Sequence, residues 1–326
     1  MSKMPRRAFI SLILKISGNV NADIGVGTRV PLKKIITWNQ EIRPFVSARA
    51  IRRCIRERLY EKGFNIDPMQ MIGPSERQQL GDVGNPVEYI DDDLFGFLIP
   101  QEPPIRRSSP IKISHLISLK HTEIKVEFAA RFPREFIPEH EKAYPAPFEV
   151  ELAEWLGKLN VIISDRVGRF SEDELIEDVK KKLGEQLSLK KEEIVNRLTG
   201  FLEVLLWEGW TFARGAQSPS VPEFYYAVVG LTSKFAPMFG FIDIMEDGQL
   251  NLKLIENLKK LYIHVLDELI ILNYRDSRYT RHIYAKQEEG GKKVQESIED
   301  SSLDAKGIGR VISTICEYLV NEDRNT

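Results

Sequence analysis

The sequence predicts an α+β fold, on three observations. Apolar residues alternate with polar ones at 8–17 and again at 122–130, the period of half-buried strands. Apolar residues recur at helical spacing over 47–62 and 252–272. The run FYYAVVGL at 224–231 is continuously apolar, as a central strand is. With 326 residues, 42% hydrophobic and 29% charged, the chain has ample material for one large or two ordinary domains.

The elements follow in order. In Ala8 to Ser17, Ile10, Leu12, Leu14 and Ile16 form one face, and Phe9, Ser11, Ile13, Lys15 and Ser17 a mixed, partly solvated one. GNVNADIGVGTR (18–29) is a loop, VPLKKIITW is extended, and a turn runs through Asn39 to Pro44. Ser47 is placed to cap a helix that runs to about Lys62 and stops at Gly63. Its core face is Ile51, Cys54, Ile55 and Leu59, while Arg49, Arg52, Arg53 and Arg56 share the opposite side. Residues 64–110 are rich in Pro, Gly and Gln and are expected to hold little regular structure.

Beyond them, Thr122 to Ala130 alternates as a half-exposed strand, with Ile124, Val126 and Phe128 on its apolar side. FEVELAEWL and LNVIISDRV are expected to form a strand pair ending at Gly168. A charged helical region from Glu172 to Leu198, broken near Gly184, continues into the apolar helix FLEVLLWEGW. After the loop TFARGAQSPSVPE and the central strand, an amphipathic helix is expected over Leu252 to Leu272. Residues 286–304 are polar and are expected to be a loose connection before a last helix from about Gly309 to Tyr318.

The net charge of −2 conceals a separation of charge. Residues 1–60 hold 13 Lys and Arg against three acids, a balance of +10, and the remainder carries −12. Such a distribution fits a basic surface kept for a polyanion, or a basic segment neutralised by acidic neighbours in the fold. The arginine stripe sharpens the first alternative: four guanidinium groups lie along two turns with only Glu57 among them. The loop at 18–34, with Asn21, Arg29, Lys33 and Lys34, and ARGAQS at 213–218, with Arg214 and Gln217, join cations to flexible backbone suited to phosphates. Trp210, Phe212, Phe224 and Tyr225 are aromatic residues that either stack on bases or pack the core.

Other chemistries lack their signatures. There is no phosphate-binding GxxxxGK[ST], no GxSxG and no HExxH, and the GVG at 25–27 does not lead into a helix start. The five histidines at 115, 121, 140, 264 and 282 have no metal-ligand spacing, and Cys54 and Cys316 are too few for a disulfide framework. The triplet Asp91-Asp92-Asp93 reads as a cap or loop sooner than a cation site. Asp23, in the first loop, is either a turn former or a residue for metal-assisted cleavage. No apolar run reaches eighteen residues, and Ser11 and Lys15 interrupt the apolar stretch near the start, so neither a membrane span nor a signal peptide is expected and a cytoplasmic protein is. No cofactor is expected.

Several segments together carry a family likeness: VNADIGVGTRVPLKKI, RPFVSARAIRRCIRERLYEKG, DDDLFGF, RRSSPIKISHLISL, DRVGRF and GWTFARGAQSPSVPEFYYAVV. In this order the chain, from about residue 8 to about 235, resembles the DevR-type backbone subunit of type I, I-B-like, CRISPR Cascade surveillance complexes. The resemblance implies an RRM-like (ferredoxin-like) palm with long insertions, fingers and thumb, within one domain. By this likeness 64–118 is the finger-like insertion and 208–223 the thumb. It also implies a protein that binds CRISPR RNA without reading its sequence and lines up head to tail with copies of itself. Other Cascade subunits and target DNA, met through guide pairing, would be further partners.

The guide-contacting residues implied are Arg29, Lys33, Lys34, Ser47, Arg49, Arg52, Arg53, Arg56, Arg214 and Gln217; Asn21, in the first loop, and Trp210, an aromatic able to stack on bases, are added to them as RNA-binding candidates. Related sequences commonly carry glycine where this chain has Ala48. No enzymatic activity is implied. The alternatives are an RNA-cleaving backbone subunit using Asp23 and a DNA-binding transcriptional autoregulator.

Overall fold

The structure is a computed structural model that describes residues 5–20, 23, 25, 27–73, 78–101, 103–132, 144–212, 220–286 and 294–321. The chain opens with β1 (Arg7–Gly18), then the short β2 (Arg29–Val30), β3 (Lys34–Ile36) and β4 (Ile42–Val46), which leads into α1 (Ala48–Glu61). Next come β5 (Gln70–Ile72), β6 (Gln79–Gly81), α2 (Ile90–Phe95), β7 (Phe97–Ile99) and β8 (Ile105–Arg107). The sheet resumes with β9 (Ile111–Ile113), β10 (Leu116–Ser118), β11 (Lys125–Arg131) and β12 (Ala146–Ser164). Then follow α3 (Glu177–Leu183), α4 (Lys191–Glu203), β13 (Glu223–Thr232), α5 (Leu252–Tyr262), β14 (Leu266–Asn273), β15 (Arg278–Lys286), β16 (Val294–Ser302) and α6 (Ala305–Val320).

One 12-stranded sheet runs in the order β16-β15-β14-β13-β1-β12-β10-β4-β3. β1 lies at its centre, antiparallel to β12 from Arg7↔Ser164 to Gly18↔Ala153 and antiparallel to β13 on its other side. Of the sequence β1, α1, β10, β12, α4, β13, the strands therefore stand side by side as β13-β1-β12-β10. One sheet face packs on α1, α4 and α6 through Ile10, Leu12, Leu14, Ile16, Ile51, Ile55, Leu198 and Ile315. The opposite face packs on α5 and the 238–244 segment through Phe9, Ile13, Val228, Met238, Ile255 and Leu258. Burying a side chain of this size contributes roughly 1.5–3 kcal/mol, so the central strands hold both layers together.

That second layer corrects the expectation of a partly solvated face on β1: Phe9, Ser11 and Ile13 are fully buried, and only its far end, at Ser17, is exposed. Other expectations change as well. Residues 64–110 are not irregular, since β5–β6 and β7–β8 form hairpins around α2. The expected strand pair at 148–168 is one 19-residue strand, β12. Gly157 does not interrupt it, because Trp155 and Leu116 fill the space a Cβ would need, the nearest atom at 2.3 Å. The helix expected over 252–272 ends at Tyr262, and 266–273 is β14, held between β13 and β15. Its buried positions, Leu266, Glu268, Leu269, Ile270 and Leu272, crowd both faces, a pattern that periodicity alone does not separate from a helix.

The loose connection expected at 286–304 is, from Val294 on, the edge strand β16. Its polar run lacks an apolar face because the strand is exposed, so pairing with β15 defines it. β11 begins at Lys125, and its apolar residues are solvent-facing rather than half-buried, with Phe128 73% exposed. The last helix is longer than expected at both ends, and Asp304 caps it by accepting from Gly307 N–H at 2.7 Å. Among the described residues no helix is long and apolar enough to cross a membrane.

Candidate nucleic-acid interface

The basic helix forms where the sequence places it. Ser47 has extended backbone, and its hydroxyl accepts from Ala50 N–H at 3.2 Å, the bond an N-cap makes. The preceding N–H, of Ala48, donates to His115 Nδ1 at 2.8 Å. That fixes the neutral imidazole with its proton on Nε2. Ile51, Cys54, Ile55 and Leu59 are buried against the sheet, and the arginines stand on the other side.

The stripe is not uniform. Arg56 Nε donates to Asp91 at 2.8 Å, and its guanidinium lies 5.1 Å from the Phe95 ring centroid. Arg53 pairs with Glu57 one turn on, at 3.0 Å. Arg49 and Arg52 have no carboxylate partner among the described residues. Arg52 is half-buried, its Nε has no hydrogen-bond partner, and burial together with Arg56 and Arg49 lowers its pKa from the usual arginine value. A guanidinium held beside two others, with a buried unpaired N–H, is a group that an incoming anion would stabilise.

The first loop is largely neutralised. Glu151, 4% exposed on β12, takes Lys34 at 2.8 Å and Arg29 at 3.4 Å, and its carboxylate also accepts from Leu32 N–H. Lys34, Arg29 and Leu32 N–H hold that carboxyl below the usual carboxylate range in spite of its burial. Lys33 is half-exposed, with no acidic partner among the described residues; its carbonyl accepts from Phe45 N–H at 2.9 Å, and the Phe45 ring is 5.4 Å from that of His115. Asp23 is exposed, and its N–H donates to Pro31 O at 2.8 Å.

Trp210 is a correction. It is 2% exposed and meets Phe212 edge to face in the core, where an indole cannot stack on a base. Phe212 is buried with it, while Phe224 and Tyr225 are half-buried, Tyr225 beneath the Arg275 guanidinium. Asn21, Arg214 and Gln217 lie outside the described residues, as do residues 213–219 of the segment expected to be the thumb.

Glu57 apart, sequence reasoning did not find the acids that answer these cations, because they come from distant segments. The aspartate triplet is the main case. Asp93 is fully buried and accepts from Arg107 at 2.8 Å, Arg197 at 3.0 Å and Gly168 N–H at 3.0 Å. Asp92 accepts from Asn85 N–H, and burial beside Asp67 and Asp91 pushes its pKa up to about 8. Carboxylate oxygens of Asp67, Asp82 and Asp92 lie within 4.8 Å of one another. Backbone N–H groups of Met69, Val83 and Gly84 donate to Asp67, and that of Leu98 to Asp82. The triplet thus fastens the 64–110 segment to the sheet and α4.

Fold and site together define an α+β protein built on one mainly antiparallel sheet, with two arginines that lack an acidic partner among the described residues on the open side of a helix that packs against it. The sequence gives the narrower identity: residues 37–247 match the family described as CRISPR-associated negative auto-regulator DevR/Csa2, and the chain belongs to it. No curated protein matches the chain. Among solved structures, a chain of a "CRISPR RNA-guided surveillance complex, pre-nicking" is similar over 95% of this chain and 100% of its own, with TM-score 0.56 and 11% identity. A chain of a "CRISPR RNA-guided surveillance complex" covers 94% and 99%, with TM-score 0.47 and 11% identity.

Proposed function

We propose that this protein is a guide-RNA-binding backbone subunit of a type I Cascade surveillance complex. In this reading it holds RNA by its phosphates, lines up head to tail with further copies and cuts nothing itself. The observation that carries the reading is the pair Arg49 and Arg52, cations without acidic partners among the described residues, on the exposed side of α1 in a chain of the DevR/Csa2 family. The side-by-side order β13-β1-β12-β10, every neighbour antiparallel and with α1 and α4 on one face, supports an RRM-like palm. Its mechanism is charge neutralisation, with the guide supplying sequence recognition by base pairing.

The test is light scattering after size exclusion, with and without single-stranded RNA of increasing length, for wild type and Arg49→Glu/Arg52→Glu. The expected result is a multimer whose mass grows with RNA length and is lost in the variant. RNA cleavage abolished by Asp23→Ala, or binding of a duplex DNA by one or two subunits instead, overturns the reading.

A further inference from the structure

His115, between β9 and β10, holds the start of α1 and has one donor left over. Its Nδ1 accepts from Ala48 N–H at 2.8 Å, and its ring lies 5.4 Å from the half-buried Phe45 ring at a tilt of 49°. Hydrogen bond and ring contact together fix where the imidazole stands. A nitrogen that accepts carries no proton, so the ring is neutral and its single proton sits on Nε2, away from Ala48. The residue is exposed, and among the described residues Nε2 has no hydrogen-bond partner.

What stands beside that donor selects its ligand. Ala48, which His115 holds, directly precedes Arg49, and Arg52 follows one turn along α1. Residues three apart on a helix are neighbours on its surface. Neither arginine has an acidic partner among the described residues. A neutral N–H and two guanidinium groups in sequence supply donors only, and the acceptor that answers all of them is an anionic oxygen. We infer that His115 is a further RNA-contacting residue, donating Nε2–H to a phosphodiester oxygen of the guide beside the phosphate that Arg49 holds. Its two nitrogens divide the work: Nδ1 sets where α1 begins, and Nε2 meets the ligand. A neutral donor releases no counterion, so it adds affinity without adding to the salt dependence. The inference deepens the proposed function and rests on it for the RNA.

Two substitutions in the full chain separate the two nitrogens. In His115→Asn the amide oxygen replaces Nδ1 as acceptor for Ala48 N–H, and the outer donor is gone. In His115→Gln the amide N–H takes the place of Nε2, and the acceptor near Ala48 is gone. Affinity is measured by anisotropy, across a salt series, on a short single-stranded RNA that holds one subunit, beside melting temperature. His115→Asn is expected to bind about tenfold more weakly, the order of a hydrogen bond to a charged acceptor, with the wild-type salt slope and nearly the wild-type melting temperature. His115→Gln is expected to melt lower and yet keep more affinity than His115→Asn. Wild-type affinity in His115→Asn overturns the inference. So does an equal or greater loss in His115→Gln, because His115 would then act only as a support for α1. A clearly shallower salt slope in His115→Asn overturns it as well, since the contact would be an imidazolium. If Arg49→Glu/Arg52→Glu loses the RNA while His115→Asn keeps it, this inference alone falls. If wild type binds no RNA, the proposed function falls with it.

Discussion

Arg56 and Arg53 sit one turn apart from Arg52 and Arg49, yet they do different work. The Arg56 carboxylate partner, Asp91, has a side chain only 7% exposed, so losing the guanidinium leaves a buried charge, whereas Arg53 and Glu57 are both well exposed. Arg56→Gln is therefore expected to lower the melting temperature clearly, and Arg53→Gln to change it little, with short-RNA binding by anisotropy nearly unaffected by Arg53→Gln. Asp92 supplies a pH test. Burial raises its folded pKa from the ordinary aspartate range to about 8, so the folded state favours the protonated carboxyl. That contribution is fully present below the unfolded pKa and is lost as pH rises through the folded one. Asp92→Asn, which keeps an uncharged oxygen for Asn85 N–H, is expected to gain in melting temperature over wild type as pH rises from 4 towards 9. An unchanging difference across that range would show that Asp92 does not titrate with folding.

Among elements, the join between the 64–110 segment and the rest of the fold is an ionic knot. Asp93 touches two arginines and a backbone N–H, and Arg107 also reaches Glu174 at 2.8 Å and the carbonyls of Arg166 and Arg169. Removing one member of a buried ionic group costs about 3–5 kcal/mol, so Asp93→Ala is expected to destabilise by that order in urea unfolding, far more than a surface change. The knot was invisible in the sequence, since Asp93, Arg107, Glu174 and Arg197 are brought together only by folding. α1, by contrast, was legible to its cap, because Ser47, Gly63 and the spacing of Ile51, Ile55 and Leu59 are local signals. Segments whose partners are remote were misread: β14 is apolar on both faces, and β16 on neither. The candidate site shows the same division, with its cations plain in the sequence and their acids Asp91 and Glu151 supplied from elsewhere.

For the whole molecule, the consequence of that division is electrostatic. By composition, residues 1–60 offer a strongly basic surface, and seven of their cations, from Arg29 to Arg56, were candidates for phosphate contact. In the fold Arg29 and Lys34 answer Glu151, Arg53 answers Glu57 and Arg56 answers Asp91, which leaves Lys33, Arg49 and Arg52. Single-strand binding loses affinity with salt at a logarithmic slope of about 0.7 per neutralised phosphate. Three free cations give a slope of about 2 for one subunit on a short RNA, and all seven would give about 5. We expect the lower value, measured by anisotropy across a salt series, and a flatter dependence still in Arg49→Glu/Arg52→Glu. A slope near the higher value would mean that RNA displaces the intramolecular carboxylates on binding, so that Glu151, Glu57 and Asp91 act as built-in competitors for the guide. Glu151→Gln separates the two: it frees Lys34 and Arg29, and it should steepen the slope only if those cations are not already on the RNA.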